Sequence, residues 1–138
     1  MKVFIDANNG ILGRVAAKAA KTALNGDEVL IFNVEKIVVS GNRKYLEERY
    51  LQRIHRGESV NGPFFPRTSM GIVKRAIRGM LPHKTGRGRQ AFKRIKVYNG
   101  VPSEFSSQKM DTPVKTKQDF NSKNYLTIKQ ISNRLGGQ

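Results

Sequence analysis

The sequence predicts an α/β domain with a concentrated cationic surface, on three observations. An apolar run, an amphipathic stretch and a second apolar run follow one another with short connections between Lys2 and Val34. Strand, helix and strand joined this way favour a parallel, right-handed unit. Lys and Arg outnumber Asp and Glu by 26 to 10, a formal charge of +16. The excess is also localised, because residues 59–103 hold ten basic side chains and no acidic one.

Each element follows from its local pattern. "KVFID", Lys2 to Asp6, is rich in strand formers and is bounded by the turn signal "NNG". Ile11 to Leu24 reads as a helix. Ile11, Leu12, Val15, Ala16, Ala19, Ala20 and Ala23 fall on one face, with Arg14, Lys18 and Lys21 on the other. Its small alanines predict close packing against a sheet. "EVLIFNV" from Glu28 to Val34 is a second strand, and "KIVVSG" follows almost at once. Asn42 to about Arg49 predicts a charged helix and Tyr50 to His55 a further strand. "RGESVNGPFFP" is a loop, because its glycines and prolines interrupt any regular element.

From a cap at Thr68 or Ser69, a helix is predicted to run to about Leu81, where Pro82 stops it. Its apolar face is Ile72, Val73, Ala76, Ile77 and Met80, and Lys74, Arg75 and Arg78 lie opposite. The stretch "PHKTGRGRQ" reads as a loop. "KRIKVYNG" reads as a strand with Ile95 and Val97 on one face and Arg94, Lys96 and Tyr98 on the other. Beyond Pro102 the composition turns polar and Lys-rich. The sequence therefore divides into a domain over 1–102 and a basic C-terminal extension over 103–138. Part of "SEFSSQKMDTPVKTKQDFNSK" is expected to be extended, and "YLTIKQISNRL" predicts a short terminal helix stopped by Gly136.

The charge pattern points to a polyanionic partner. A basic run ordinarily marks a solvated surface, but such surfaces mix both signs. Here a helix, a loop and a strand in succession each set a basic side against an apolar one. The candidates are Arg67, Lys74, Arg75, Arg78, Lys84, Arg87, Arg89, Lys93, Arg94 and Lys96, joined by Arg14 and Lys18 from the first helix and by His83. Arg forks suit phosphate oxygens, and guanidinium planes stack on bases. Gly86 and Gly88 are expected to let the loop backbone approach a ligand closely. Tyr98 offers a ring for stacking, although a lone tyrosine at a strand end more often packs half-buried.

Other chemistries find little support. Without cysteine there is neither a disulfide nor a thiolate metal site, which agrees with a reducing compartment. No apolar run approaches the length of a membrane span, and the N-terminus lacks the apolar core of a signal peptide. A cytoplasmic protein is expected, with no membrane partner. There is no GxxxxGK[ST] loop. A small α/β enzyme acting on nucleotides or nucleic acid, using Asp6 with His55 or His83, is the alternative reading. Asp6 is more simply explained by the turn that follows the first strand, and Glu47 and Glu48 by i,i+4 pairing with Arg43 and Lys44.

Three ordered segments carry a family likeness. "DANNGILGRVAA" (Asp6 to Ala17), "NVEKIVVSGN" (Asn33 to Asn42) and "RGMLPHKTGRGRQAFKRIKVYNGVP" (Arg78 to Pro102) together resemble the large-subunit ribosomal protein L-thirteen family, in its archaeal branch. The likeness covers roughly Lys2 to Pro102. It implies a three-layer α/β/α domain around a four-stranded, mainly parallel sheet. It also implies a structural constituent of the large ribosomal subunit that contacts large-subunit rRNA and neighbouring ribosomal proteins, with no catalytic residue, metal, cofactor or small-molecule substrate. By position, "RGMLPHKTGRG" places Arg78, His83, Lys84, Arg87 and Arg89 at the RNA, and "LGR" adds Arg14. The segment "RTSMGIVKRAI" departs from the more aromatic wording expected before "RGM".

Overall fold

The structure is a computed structural model that describes residues 1–112 and 124–137. Its centre is a parallel sheet of β1 (Lys2–Asp6), β2 (Glu28–Phe32) and β4 (Ile95–Val97), with β2 in the middle. Lys2 pairs with Glu28 and Asp6 with Phe32, while Val29 pairs with Ile95 and Ile31 with Val97. A second, antiparallel pair joins β3 (Val38–Ser40) to β5 (Tyr125–Thr127). The two sheets meet where the Val38 amide donates to the Gly10 carbonyl at 2.8 Å. Among the described residues the parallel sheet has three strands. The outer edge of β1 carries one further parallel bridge, between Ile5 and Asp111.

The expected small-residue face explains how α1 (Leu12–Leu24) sits on this sheet. Val15, Ala16, Ala19, Ala20 and Ala23 are buried, and they share one core with Ile5, Val29, Ile31, Ile95 and Val97. Alanine contributes little area, but it lets the helix backbone approach the branched side chains of the strands closely. α3 (Ser69–Gly79) packs beside α1 through Ile72, Val73 and Ile77, and Thr68 caps it by accepting from the Gly71 amide at 3.2 Å. Met80, expected on the apolar face, is half-exposed, and Leu81 is buried in its place. The opposite side of the sheet is aromatic. Phe32 is fully buried between Phe4 and Tyr98, at centroid distances of 6.2 and 5.4 Å, and Phe105 tilts onto all three. Tyr98 is therefore half-buried packing.

Three expectations are corrected. The strand expected over Tyr50–His55 is helical, because α2 runs unbroken from Arg43 to His55 under an Asn42 cap. Leu46 and Tyr50, one turn apart, are its buried residues, and Leu51 and Ile54 lean on the same core. The loop expected over "PHKTGRGRQ" contains α4 (Gly86–Lys93). Thr85 caps α4 by accepting from the Gly88 amide at 3.2 Å, while its hydroxyl donates to the Pro82 carbonyl at 2.8 Å. Gly88 is not there for loop freedom: a Cβ at that position would overlap the Pro82 carbonyl. Two glycines cost a helix about 1 kcal/mol each relative to alanine. The cap and the buried Ala91 override that cost.

The terminal helix α5 spans Ile128–Arg134, shorter than expected, because Tyr125–Thr127 pairs with β3 first. Thr127 and Gln130 form a capping box that marks the change from strand to helix. Leu126, Ile128, Ile131 and Leu135 enter the same core as α3. Much of the stretch expected to be extended, residues 113–123, lies outside the described residues.

Candidate nucleic-acid interface

Ten of the thirteen candidate cations lie on α1, α3, α4 or the turn between the last two. α1 contacts both α3 and α4, so their outward sides form adjoining strips of surface. Lys74, Arg75 and Arg78 lie on α3. His83 and Lys84 lie in the turn after it, and Arg87, Arg89 and Lys93 on α4. Thr85 caps the first turn of α4, and the positive end of that helix's peptide dipoles adds to the cations there. Arg14 stands exposed on α1. A shallow groove of about 350 Å³ between α1 and α4 has Lys21 on one wall and Arg87 on the other. Lys21 belongs to this strip, and only the packing of α1 against α4 reveals it. The wheel grouped it with Lys18.

What each cation touches separates them. Arg14, Lys84, Arg87 and Lys93 are exposed, and their side chains have no hydrogen-bonding or ionic partner among the described residues. Arg89 donates to the Lys84 carbonyl at 3.0 Å, which folds its guanidinium back over the turn. Lys74 lies 5.7 Å from the centroid of the Phe92 ring. Arg75 donates to the Phe64 carbonyl at 3.1 Å and lies over the Phe65 ring. Burial first, and then the neighbouring Arg78, lower its pKa from the ordinary arginine value. The Nε of Arg78 is buried without an acceptor among the described residues.

Four candidates serve the fold. Arg94 donates to the Ala23 carbonyl at 3.1 Å, holding the end of α1 beside β4. Arg67 donates to the Leu135 carbonyl at 3.3 Å, and its own carbonyl accepts from the buried Ser132 hydroxyl at 2.7 Å. It therefore ties the start of α3 to α5. Lys18 lies 3.8 Å from the Asp111 carboxylate and donates to the Thr112 carbonyl. Lys96 meets Glu28 across the sheet at 2.8 Å. That hydrogen bond lowers the Glu28 pKa and raises the Lys96 pKa. Of the thirteen candidates, only Lys18 and Lys96 meet a carboxylate among the described residues. Backbone carbonyls orient Arg67, Arg75, Arg89 and Arg94 without neutralising them.

The residues of the enzyme reading sit on separate elements. Asp6 accepts from the Asn8 amide at 3.0 Å and the Asn33 side chain at 2.9 Å, so it organises the turn after β1. His55 ends α2, and His83 follows α3. The described residues contain no group of three or more His, Cys, Asp or Glu placed to hold a metal ion.

The chain is similar to known proteins along most of its length. The profile of the family described as Ribosomal protein L13 matches residues 1–104. A protein of Methanosarcina barkeri is 43% identical over 140 residues, spanning 97% of each chain. One of Archaeoglobus fulgidus is 41% identical over 135 residues, spanning 96% of this chain and 86% of its own. One of Thermoplasma volcanium is 39% identical over 137 residues, spanning 99% of each. All three bear the name large ribosomal subunit protein uL13. On the profile match and these identities, the chain belongs to the ribosomal protein L13 family.

Proposed function

We propose that this protein is a structural constituent of the large ribosomal subunit that binds large-subunit rRNA and supports subunit assembly. It works in the cytoplasm beside neighbouring large-subunit proteins, and it is not an enzyme. Family membership and the likeness to archaeal large-subunit proteins along nearly the whole chain support the ribosomal role. One observation carries the RNA reading. Lys84, Arg87 and Lys93 stand exposed on one turn and helix, within a stretch of 45 residues that contains no carboxylate. Phosphate oxygens are the acceptors that such a surface lacks internally.

The interface in this reading consists of Lys74, Arg75, Arg78, His83, Lys84, Arg87, Arg89 and Lys93 on α3, the turn and α4, with Arg14 from α1. Lys18, Arg67, Arg94 and Lys96 flank it and shape the fold that presents it. Phosphate contacts supply most of the affinity, and RNA shape supplies the fit. The architecture follows the same reading. The Ile5–Asp111 bridge supports a fourth strand at the edge of β1, and Phe105 over Phe4, Phe32 and Tyr98 supports a third layer on that side of the sheet. A tagged full-length chain expressed in an archaeal host should co-sediment with large subunits on a low-salt gradient and be shed by molar salt. Recovery only in the free-protein fractions would overturn the assignment.

A further inference from the structure

One cleft combines apolar walls with cations and is lined by no carboxylate. It lies where the start of α1, the middle of α2 and α3 meet, and it encloses about 510 Å³. Leu12, Leu46 and Ile72 are among its walls, and Arg49, Arg53 and Arg75 also line it. A volume of a few hundred Å³ suits a small planar ligand.

Two of the three guanidiniums in this cleft are held in place. Arg53 lies 5.2 Å from the centroid of the Tyr50 ring and 5.5 Å from that of Phe65, and Arg75 lies 5.7 Å from Phe65. The two rings stand 6.0 Å apart at a tilt of 56°. Arg75 is further fixed by its hydrogen bond to the Phe64 carbonyl. A guanidinium is planar and weakly hydrated, so one resting on an aromatic face can present its other face to a second planar group. Ordering it in advance removes the entropy cost of doing so on binding. Three cations with no acid select an anion. Apolar walls and flat cations select a planar, largely apolar body. A nucleotide unites the two requirements, whereas an uncharged peptide side chain would leave the guanidiniums uncompensated.

We propose that this cleft receives the base of an unpaired nucleotide extruded from the bound RNA, stacked against Arg53 and Arg75, with Arg49 on its phosphate. The inference rests on the RNA-binding reading above and adds a second site to it, distinct from the phosphate contacts of α4. Recognition there is by stacking, so it tolerates any base but demands that one be present.

Amide NMR of the ¹⁵N-labelled full-length chain tests this with three probes: hexa-adenylate, a fully paired RNA duplex and an abasic ribose-phosphate oligomer. Hexa-adenylate should shift the amides of Val39, Ser40, Leu46 and Tyr50 around the cleft. The duplex and the abasic oligomer should shift those of Lys84 to Lys93 and leave the cleft unchanged. Arg53→Lys keeps the charge but loses the planar face. It should weaken hexa-adenylate at the cleft about tenfold and leave duplex affinity unchanged. Cleft amides that ignore hexa-adenylate while those of α4 respond would overturn the cleft proposal and leave RNA binding standing. Equal weakening of hexa-adenylate and duplex by Arg53→Lys would also overturn it, since Arg53 would then act only as a charge. Silence of both regions toward every RNA would remove the RNA-binding reading itself.

Discussion

Replacing Lys84, Arg87 and Lys93 together by alanine separates RNA affinity from folding. The three side chains are exposed and have no partner among the described residues, so each substitution should change stability by no more than about 0.5 kcal/mol. With Arg14 they make four cations free to take one phosphate each. Four such contacts give a slope of log affinity on log salt of about −3 to −4, and a loss of about 50- to 150-fold between 50 and 200 mM salt. The triple variant keeps one of the four, so its slope should flatten by about two to three units and its loss over the same range fall to about threefold. Additional contacts from Arg78 or Arg89 would steepen both lines equally and leave the difference intact. Filter binding of full-length protein to large-subunit rRNA across a salt series measures the slope, and a thermal melt checks the fold. A folded variant with the parental slope would refute the argument, because those cations would then release no counterions.

Further predictions concern the scaffold. Gly88→Ala should destabilise by about 1–3 kcal/mol, because the new methyl overlaps the Pro82 carbonyl. Gly86→Ala, which meets open space, should stabilise by up to about 1 kcal/mol. Urea denaturation reads both, and a gain in stability for Gly88→Ala would contradict the packing described for α4. Ser132→Ala removes a buried hydroxyl bonded to the Arg67 carbonyl and should cost about 1 kcal/mol or more by the same assay. The Glu28–Lys96 pair gives a pH dependence with a definite sign. Glu28 is lowered by the Lys96 hydrogen bond, so its contribution is present above its unfolded pKa and is lost as pH falls through the folded one. A carboxyl NMR titration should place the Glu28 midpoint below the ordinary glutamate value and return it there in Lys96→Met. An unchanged midpoint would disprove the pairing.

Periodic segments were legible wherever one surface decided the structure. α1 sits on the sheet through the alanines that the wheel selected, and β4 buries Ile95 and Val97 as their alternation required. Misreading came where local and tertiary preferences conflict. The glycines of "TGRGRQ" argue against a helix by local propensity, yet Thr85 and Ala91 secure one, and Gly88 is demanded by a neighbouring carbonyl rather than by a turn. Tyr50, Leu51 and Ile54 are apolar enough for a short strand, but Tyr50 follows Leu46 by one helical turn and is buried with it. The capping box of Thr127 and Gln130 was present in the sequence, but the strand before it exists only because β3 offers an edge. The candidate interface divides the same way. Charge and position singled out Lys84, Arg87 and Lys93. The Glu28–Lys96 and Lys18–Asp111 contacts join residues distant in sequence, and they depend on strand order and on the course of the chain past β1.

The most direct test is a structure of the archaeal large subunit carrying this protein, resolved well enough to see side chains on the α3–α4 surface. Lys84, Arg87 and Lys93 are predicted to lie within hydrogen-bonding distance of rRNA phosphate oxygens, on the side of α4 away from the sheet. Finding them turned to open solvent, or matched to the carboxylates of an adjoining protein, would contradict the central claim.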